Sequence, residues 1–393
     1  MLSNIVTLVA LVASTVVAAP SPKPSLVVDL GYSKYQGTNL GNGVSQWLGI
    51  RYAAPPLGDL RFRAPRDPLG GGFNSNANPN LNGTSLIKAG DLDIVVVTFN
   101  YRVGPWGFLA SKEVVENGDT NVGLKDQRFM LEWVQKHITK LSAYGGRDDG
   151  LFHASAAESQ SFGVQFTVEE SQYQYDSLVK RVGCAGKNDT LACLRAVDIS
   201  VILKNNPNLP TPGGAGGTPN YMWSNVIDGD FTPDYTYKLY SEGKYVKLPA
   251  IYGDDTNEGT VFTPQNINTS AQMDDFLRNN WPKLTSSQLQ QIHTYYPKGR
   301  AYPDSGAYWS AAALAYGEIR YNCPGIYLSS VHFRDVPTVG SWNYHWDVLS
   351  TANNASGFGV THTAELASIW GYSSDPDKEL IPTIQGRRRS GPR

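Results

Sequence analysis

Apolar positions along the chain fall into runs of distinct period. "DIVVVTF", Asp93 to Phe99, is continuous and β-branched, which predicts a strand buried on both faces of a sheet. "VKLPAIYGD", Val246 to Asp254, predicts another buried strand. "SWNYHWDV" alternates Trp342, Tyr344 and Trp346 on one face, as a strand near an edge or gorge would. "DQRFMLEWVQKHITKL" predicts a helix with Met130, Val134, Ile138 and Leu141 on its apolar face. Strand, glycine-bearing loop and helix in succession imply an α/β chain with a mostly parallel central sheet flanked by helices. "PNLPTPGGAGGTP", Pro207 to Pro219, is a loop by its glycines and prolines. No internal repeat is visible.

Two residues follow the late strands. Glu258, in "GDDTNEGT", lies just past the first, and His362, in "GVTHTAELASIWG", lies past the second. Open α/β sheets bind ligands outside the carboxyl ends of their strands, so both fall where a site is expected. A carboxylate followed along the chain by a histidine suits a relay in which the acid orients the imidazole and the imidazole moves a proton. Taken singly, each has an ordinary structural explanation.

Composition narrows the choice. The 33 Lys+Arg and 35 Asp+Glu leave a net charge of −2, giving no electrostatic case for nucleic acid. The six histidines are scattered without ligand spacing, so neither a metal nor another cofactor is expected. "MLSNIVTLVALVASTVVAAP" is an apolar leader ending in small residues, which predicts a signal peptide over 1–19 and a secreted protein. No later segment is expected to span a membrane. Secretion permits a bond between Cys184 and Cys193 and leaves Cys323 buried or unpaired. Sequons at Asn82, Asn188, Asn268 and Asn354 are expected to be surface glycosylation sites.

The chain resembles the type-B carboxylesterase/lipase family, which includes cholinesterases and secreted fungal lipases. The resemblance is carried by "WLGIRYAAPPLGDLRFRAP", "GGGF", "NGTSLI", "NYRVGPWGFL", "NVGLKDQRFMLEWVQKHI", "FHASAAESQSFG", "GCAGKNDTLACLR", "VIDGDFTP", "TNEGTVF" and "GVTHTAEL", in family order. It implies a single α/β-hydrolase domain over 20–393 and a lipid or small-molecule ester substrate. It implies Glu258 as the triad acid, His362 as the base, a Cys184–Cys193 disulfide, and Gly71 and Gly72 as oxyanion-hole donors.

The chain also departs from that pattern. No serine has glycines at both flanking second positions, so the Gly-x-Ser-x-Gly nucleophile elbow is missing. Ser155 and Ser159 map downstream of the elbow and are not expected to replace it. Gaps relative to the family fall near 68–70 and 140–143, and Leu69 stands where the family has a histidine. After "IPTIQ" the chain ends in "GRRRSGPR" in place of the family's aromatic-rich helix. A secreted ester hydrolase lacking its nucleophile is the leading expectation, and a non-catalytic cholinesterase-like binding protein is the alternative.

Overall fold

The computed structural model describes residues 26–41, 43–65, 83–137 and 151–371. The chain divides into two compact units, Met1–Leu48 and Gly49–Arg393. The first holds two antiparallel hairpins: β1 (Val27–Asp29) pairs with β2 (Lys34–Gln36), and β3 (Thr38–Gly41) with β4 (Val44–Gln46).

The second unit contains β5 (Ser155–Glu158), β6 (Phe166–Thr167), β7 (Val226–Ile227), β8 (Ala250–Asp255) and β9 (Ser341–Trp346). β6 and β7 form a short parallel pair. β5, β8 and β9 form a three-stranded parallel sheet with β8 in the middle. The central place of β8 explains its burial, since five of its six residues are buried. β9, paired on one side only among the described residues, leaves Trp342 55% exposed, as the alternating pattern of an edge strand implies.

The second unit also holds two large hydrophobic cores. In one, the helix Val168–Arg181 packs Tyr175 and Leu178 against Phe62, Phe108, Leu191 and Leu194. A capping box starts that helix: Thr167 Oγ1 accepts the Glu170 N–H, and Glu170 Oε2 accepts the Thr167 N–H. Cys184 and Cys193 are disulfide-bonded within this core. In the other, the helices Ser270–Asn280, Ser286–Tyr295 and Trp309–Gly317 gather around Met273, Leu277 and Tyr316.

Between "NYR" and "KDQR" runs a buried ion pair. Arg102 donates from its backbone N and from Nε to Asp126 Oδ2, and from Nη2 to Oδ1. The two side chains are 8% and 0% exposed. The fork geometry matches guanidinium to carboxylate and satisfies both Asp126 oxygens inside the protein.

Two sequence expectations need correction. Asp93–Phe99 forms no strand; Ile94, Val95 and Val97 are 44%, 51% and 37% exposed. A β-branched run supplies only a preference, and among the described residues no strand lies beside it to complete a ladder. The helix is present as Val122–His137, but it buries Asp126, Met130, Trp133 and His137 rather than a face through Val134. Asp126 turns inward there to meet Arg102; Ile138 and Leu141 lie outside the described residues. Cys323 is unpaired, within what the sequence led us to expect, and exposed.

Candidate active site

Two loops at the carboxyl end of the parallel sheet make the site. The first leaves β8 through Thr256 and Asn257 and presents Glu258. Its approach to the helix Trp309–Gly317 is set by glycine: a Cβ on Gly259 would lie 1.9 Å from the Ala313 carbonyl oxygen. The second loop follows β9 and the helix Thr351–Ser356 and presents His362.

Asn257 sews the loops together. Its backbone N–H donates to the Val360 carbonyl at 2.8 Å, and its Oδ1 accepts the Val360 N–H at 2.9 Å. Gly359 makes room for that side chain, since a Cβ there would sit 1.9 Å from Asn257 Oδ1, and its φ of +67° also suits glycine. Thr260 Oγ1 adds a bond to the Phe358 carbonyl at 2.8 Å.

The result is a close contact between the two sequence candidates. His362 Nδ1 lies 2.6 Å from Glu258 Oε2. Glu258 Oε1 accepts the Asp255 N–H at 2.9 Å and the Ser159 hydroxyl at 2.7 Å. The carboxylate side chain is 0% exposed, whereas that of His362 is 24% exposed. Phe262 and Tyr321 hold the imidazole, each with its ring centroid 5.0 Å away. Nε2 of His362 has no hydrogen-bond partner among the described residues. A ring held at Nδ1 by a buried carboxylate leaves Nε2 to take a proton from a hydroxyl or water, and to return it.

Ser159 is the member the sequence reading missed. It follows β5 directly, and its φ of +57° is unusual for a residue with a side chain. Two bonds hold it there: its N–H donates to the Gly253 carbonyl at 2.9 Å, and its hydroxyl donates to Glu258. It makes no hydrogen bond to His362, so it braces the acid and is not set to be deprotonated by the base.

Gly71, Gly72, Leu69, Asn82, the breaks near 68–70 and 140–143, residues 1–19 and the arginine-rich end lie outside the described residues. Asn188, Asn268 and Asn354 are exposed. Among the described residues no helix is long and apolar enough to cross a membrane, and no group of three His, Cys, Asp or Glu could hold a metal.

A sequence model of the carboxylesterase family matches residues 24–69, 68–149 and 141–381. The chain belongs to the carboxylesterase family. It has the α/β-hydrolase fold of that family of carboxylic ester hydrolases. The crystal structure of EstA from Aspergillus niger matches with a TM-score of 0.84 and 36% identity, covering 92% of this chain and 87% of that one. Secreted lipase 4 of Gibberella zeae is 25% identical over 505 positions, covering 98% of this chain and 87% of the relative. Lipase 1 of Geotrichum candidum is 29% identical over 68% of this chain, which spans 54% of that relative. The family match comes in three pieces.

Proposed function

We propose that this chain carries the acid and base of a secreted carboxylic ester hydrolase but lacks the serine nucleophile, so that it does not turn over esters as written. The observation that carries the reading is the 2.6 Å contact from a buried Glu258 to a partly exposed His362. In the full reaction, His362 Nε2 would take the proton of a serine hydroxyl as that oxygen attacks the ester carbonyl. It would then give the proton to the departing alcohol, and the same cycle with water would release the acid. Glu258 would hold Nδ1 and stabilise the imidazolium. Gly71 and Gly72 would donate N–H groups to the oxyanion.

Secretion, glycosylation at Asn82, Asn188, Asn268 and Asn354, and absence of the elbow belong to the same reading. They are supported by the apolar leader, by relatives named as secreted lipases, and by the three-piece family match. The binding-protein alternative draws no support from relatives named as lipases.

The test expresses this chain beside a version with the elbow and the strand before the oxyanion glycines restored. Both are assayed on a short-chain nitrophenyl ester. Only the restored version should hydrolyse it, and His362→Ala should abolish that activity. Comparable turnover by both, lost with His362→Ala, would reveal a different nucleophile and overturn the reading.

A further inference from the structure

Glu258 is not the only buried acid under His362. Asp255, the last residue of β8, is 0% exposed, and Glu365, three residues after His362, is 1% exposed. Their carboxyl groups meet, joining the loop of the acid to the loop of the base. No described residue places a hydrogen-bond donor at normal geometry on any of their four oxygens. Thr363 offers Asp255 only partial relief through its backbone N–H.

The surroundings are acidic on every side. Glu258 from its loop bears on Asp255, Glu158 at the end of β5 bears on Glu365, and the buried Tyr344 hydroxyl of β9 faces all four acids. The charged groups that act most on Asp255 are Glu365 and Glu258. His362 is engaged with Glu258. Glu158 has an indole N–H from Trp370, and Glu258 has two donors besides His362. Among the described residues, no side chain donates to Asp255 or Glu365.

Two ionised carboxylates cannot donate to one another, and burying both without a cation is far costlier than keeping one neutral. A single proton changes this. One group becomes a donor and the other an acceptor, and the pair carries one charge instead of two.

We propose that Asp255 and Glu365 share one proton at neutral pH, and that this carboxyl–carboxylate bond ties the Glu258 loop to the His362 loop. Both are then positioning residues. Burial, and next the bond and charge of Glu365, raise the Asp255 pKa in keeping with this. Raising the pH until the proton leaves sets two buried charges against each other and drives the loops apart. The positioning role rests on the catalytic reading of Glu258 and His362; the shared proton itself needs no turnover.

The test is infrared spectroscopy of the full chain, and of the elbow-restored chain as a second background, titrated from acid to alkaline pH. A neutral-carboxyl stretch should persist through neutral pH and vanish only under alkaline conditions. Asp255→Asn and Glu365→Gln should each remove that band while leaving the far-ultraviolet circular dichroism unchanged, because the new amide donates to the remaining carboxylate. Asp255→Asn should also resist alkaline unfolding better than the unaltered chain, whereas Asp255→Ala should not. The ring resonances of His362 should shift with the same titration. Absence of the band at neutral pH overturns the shared proton. A band that titrates without moving the His362 signals overturns the positioning role. Ester hydrolysis by the restored chain and its loss with His362→Ala judge the catalytic reading separately.

Discussion

Ser159 and His362 hold opposite oxygens of one carboxylate: the serine hydroxyl donates to Glu258 Oε1 at 2.7 Å, and His362 Nδ1 meets Oε2 at 2.6 Å. The acid is thus fixed in rotation before it orients the base. Removing the hydroxyl leaves a buried charge one donor short. Ser159→Ala should therefore cost about 1.5–3 kcal/mol of stability. Ser159→Gly loses the same bond but accepts the +57° φ without strain, so it should be less damaging by about 1 kcal/mol. Urea unfolding of both variants measures this; equal losses would show that the backbone strain contributes nothing.

Asp126 accepts three bonds from Arg102 in a place closed to water. Asp126→Ala leaves the guanidinium buried without its partner and should destabilise by about 3–5 kcal/mol. Chemical denaturation gives the value, and a loss below about 1 kcal/mol would place the pair among solvent-screened ones.

Asp228 supplies an acid limb to stability. Burial alone would raise its pKa, but bonds from Thr120, the Thr232 and Asp230 N–H groups and Asn121 outweigh it and hold the carboxyl below its ordinary range. Because the folded pKa is the lower one, the unfolded chain takes up the proton first as pH falls. The contribution is present above about pH 4 and is lost as pH drops toward the folded value. Asp228→Asn should lower stability at neutral pH and flatten the decline below about pH 4. Melting temperatures across that range provide the check; an unchanged acid limb would assign the decline to other carboxylates.

The Cys184–Cys193 bond closes a short loop inside one core, with a sequence separation of 9. Opening it should cost about 2–3 kcal/mol by the chain-entropy estimate. Thermal melts with and without a thiol reductant report the loss, and peptide masses from a non-reducing digest report the pairing.

The parts legible in the sequence were those decided by local pattern together with one strong neighbour. β8 reads as buried because it is central, β9 reads as an edge because its aromatics alternate, and Glu258 and His362 read as partners because both strands deliver their loops to the same end of the sheet. Asp93–Phe99 was misread because a ladder is a property of two strands, and periodicity sees only one. The helix face was misplaced because apolar spacing gives no weight to an inward aspartate whose arginine lies 24 residues away. Ser159 escaped because its partner lies 99 residues further along, and a lone serine after "SAAE" carries no mark of it.

The bare stretch around Ile94, Val95 and Val97 separates two quantities that are often taken as one, yield and competence. A partly exposed β-branched segment that joins no sheet among the described residues captures copies of itself, so loss to precipitate should grow with concentration. The acid follows β8 and the base follows β9, and neither strand shares a ladder with that segment. Dilution or a solubilising fusion should thus recover more protein without altering the His362–Glu258 contact. A poor harvest of this chain measures its stickiness and says nothing about the chemistry its soluble fraction is built to support.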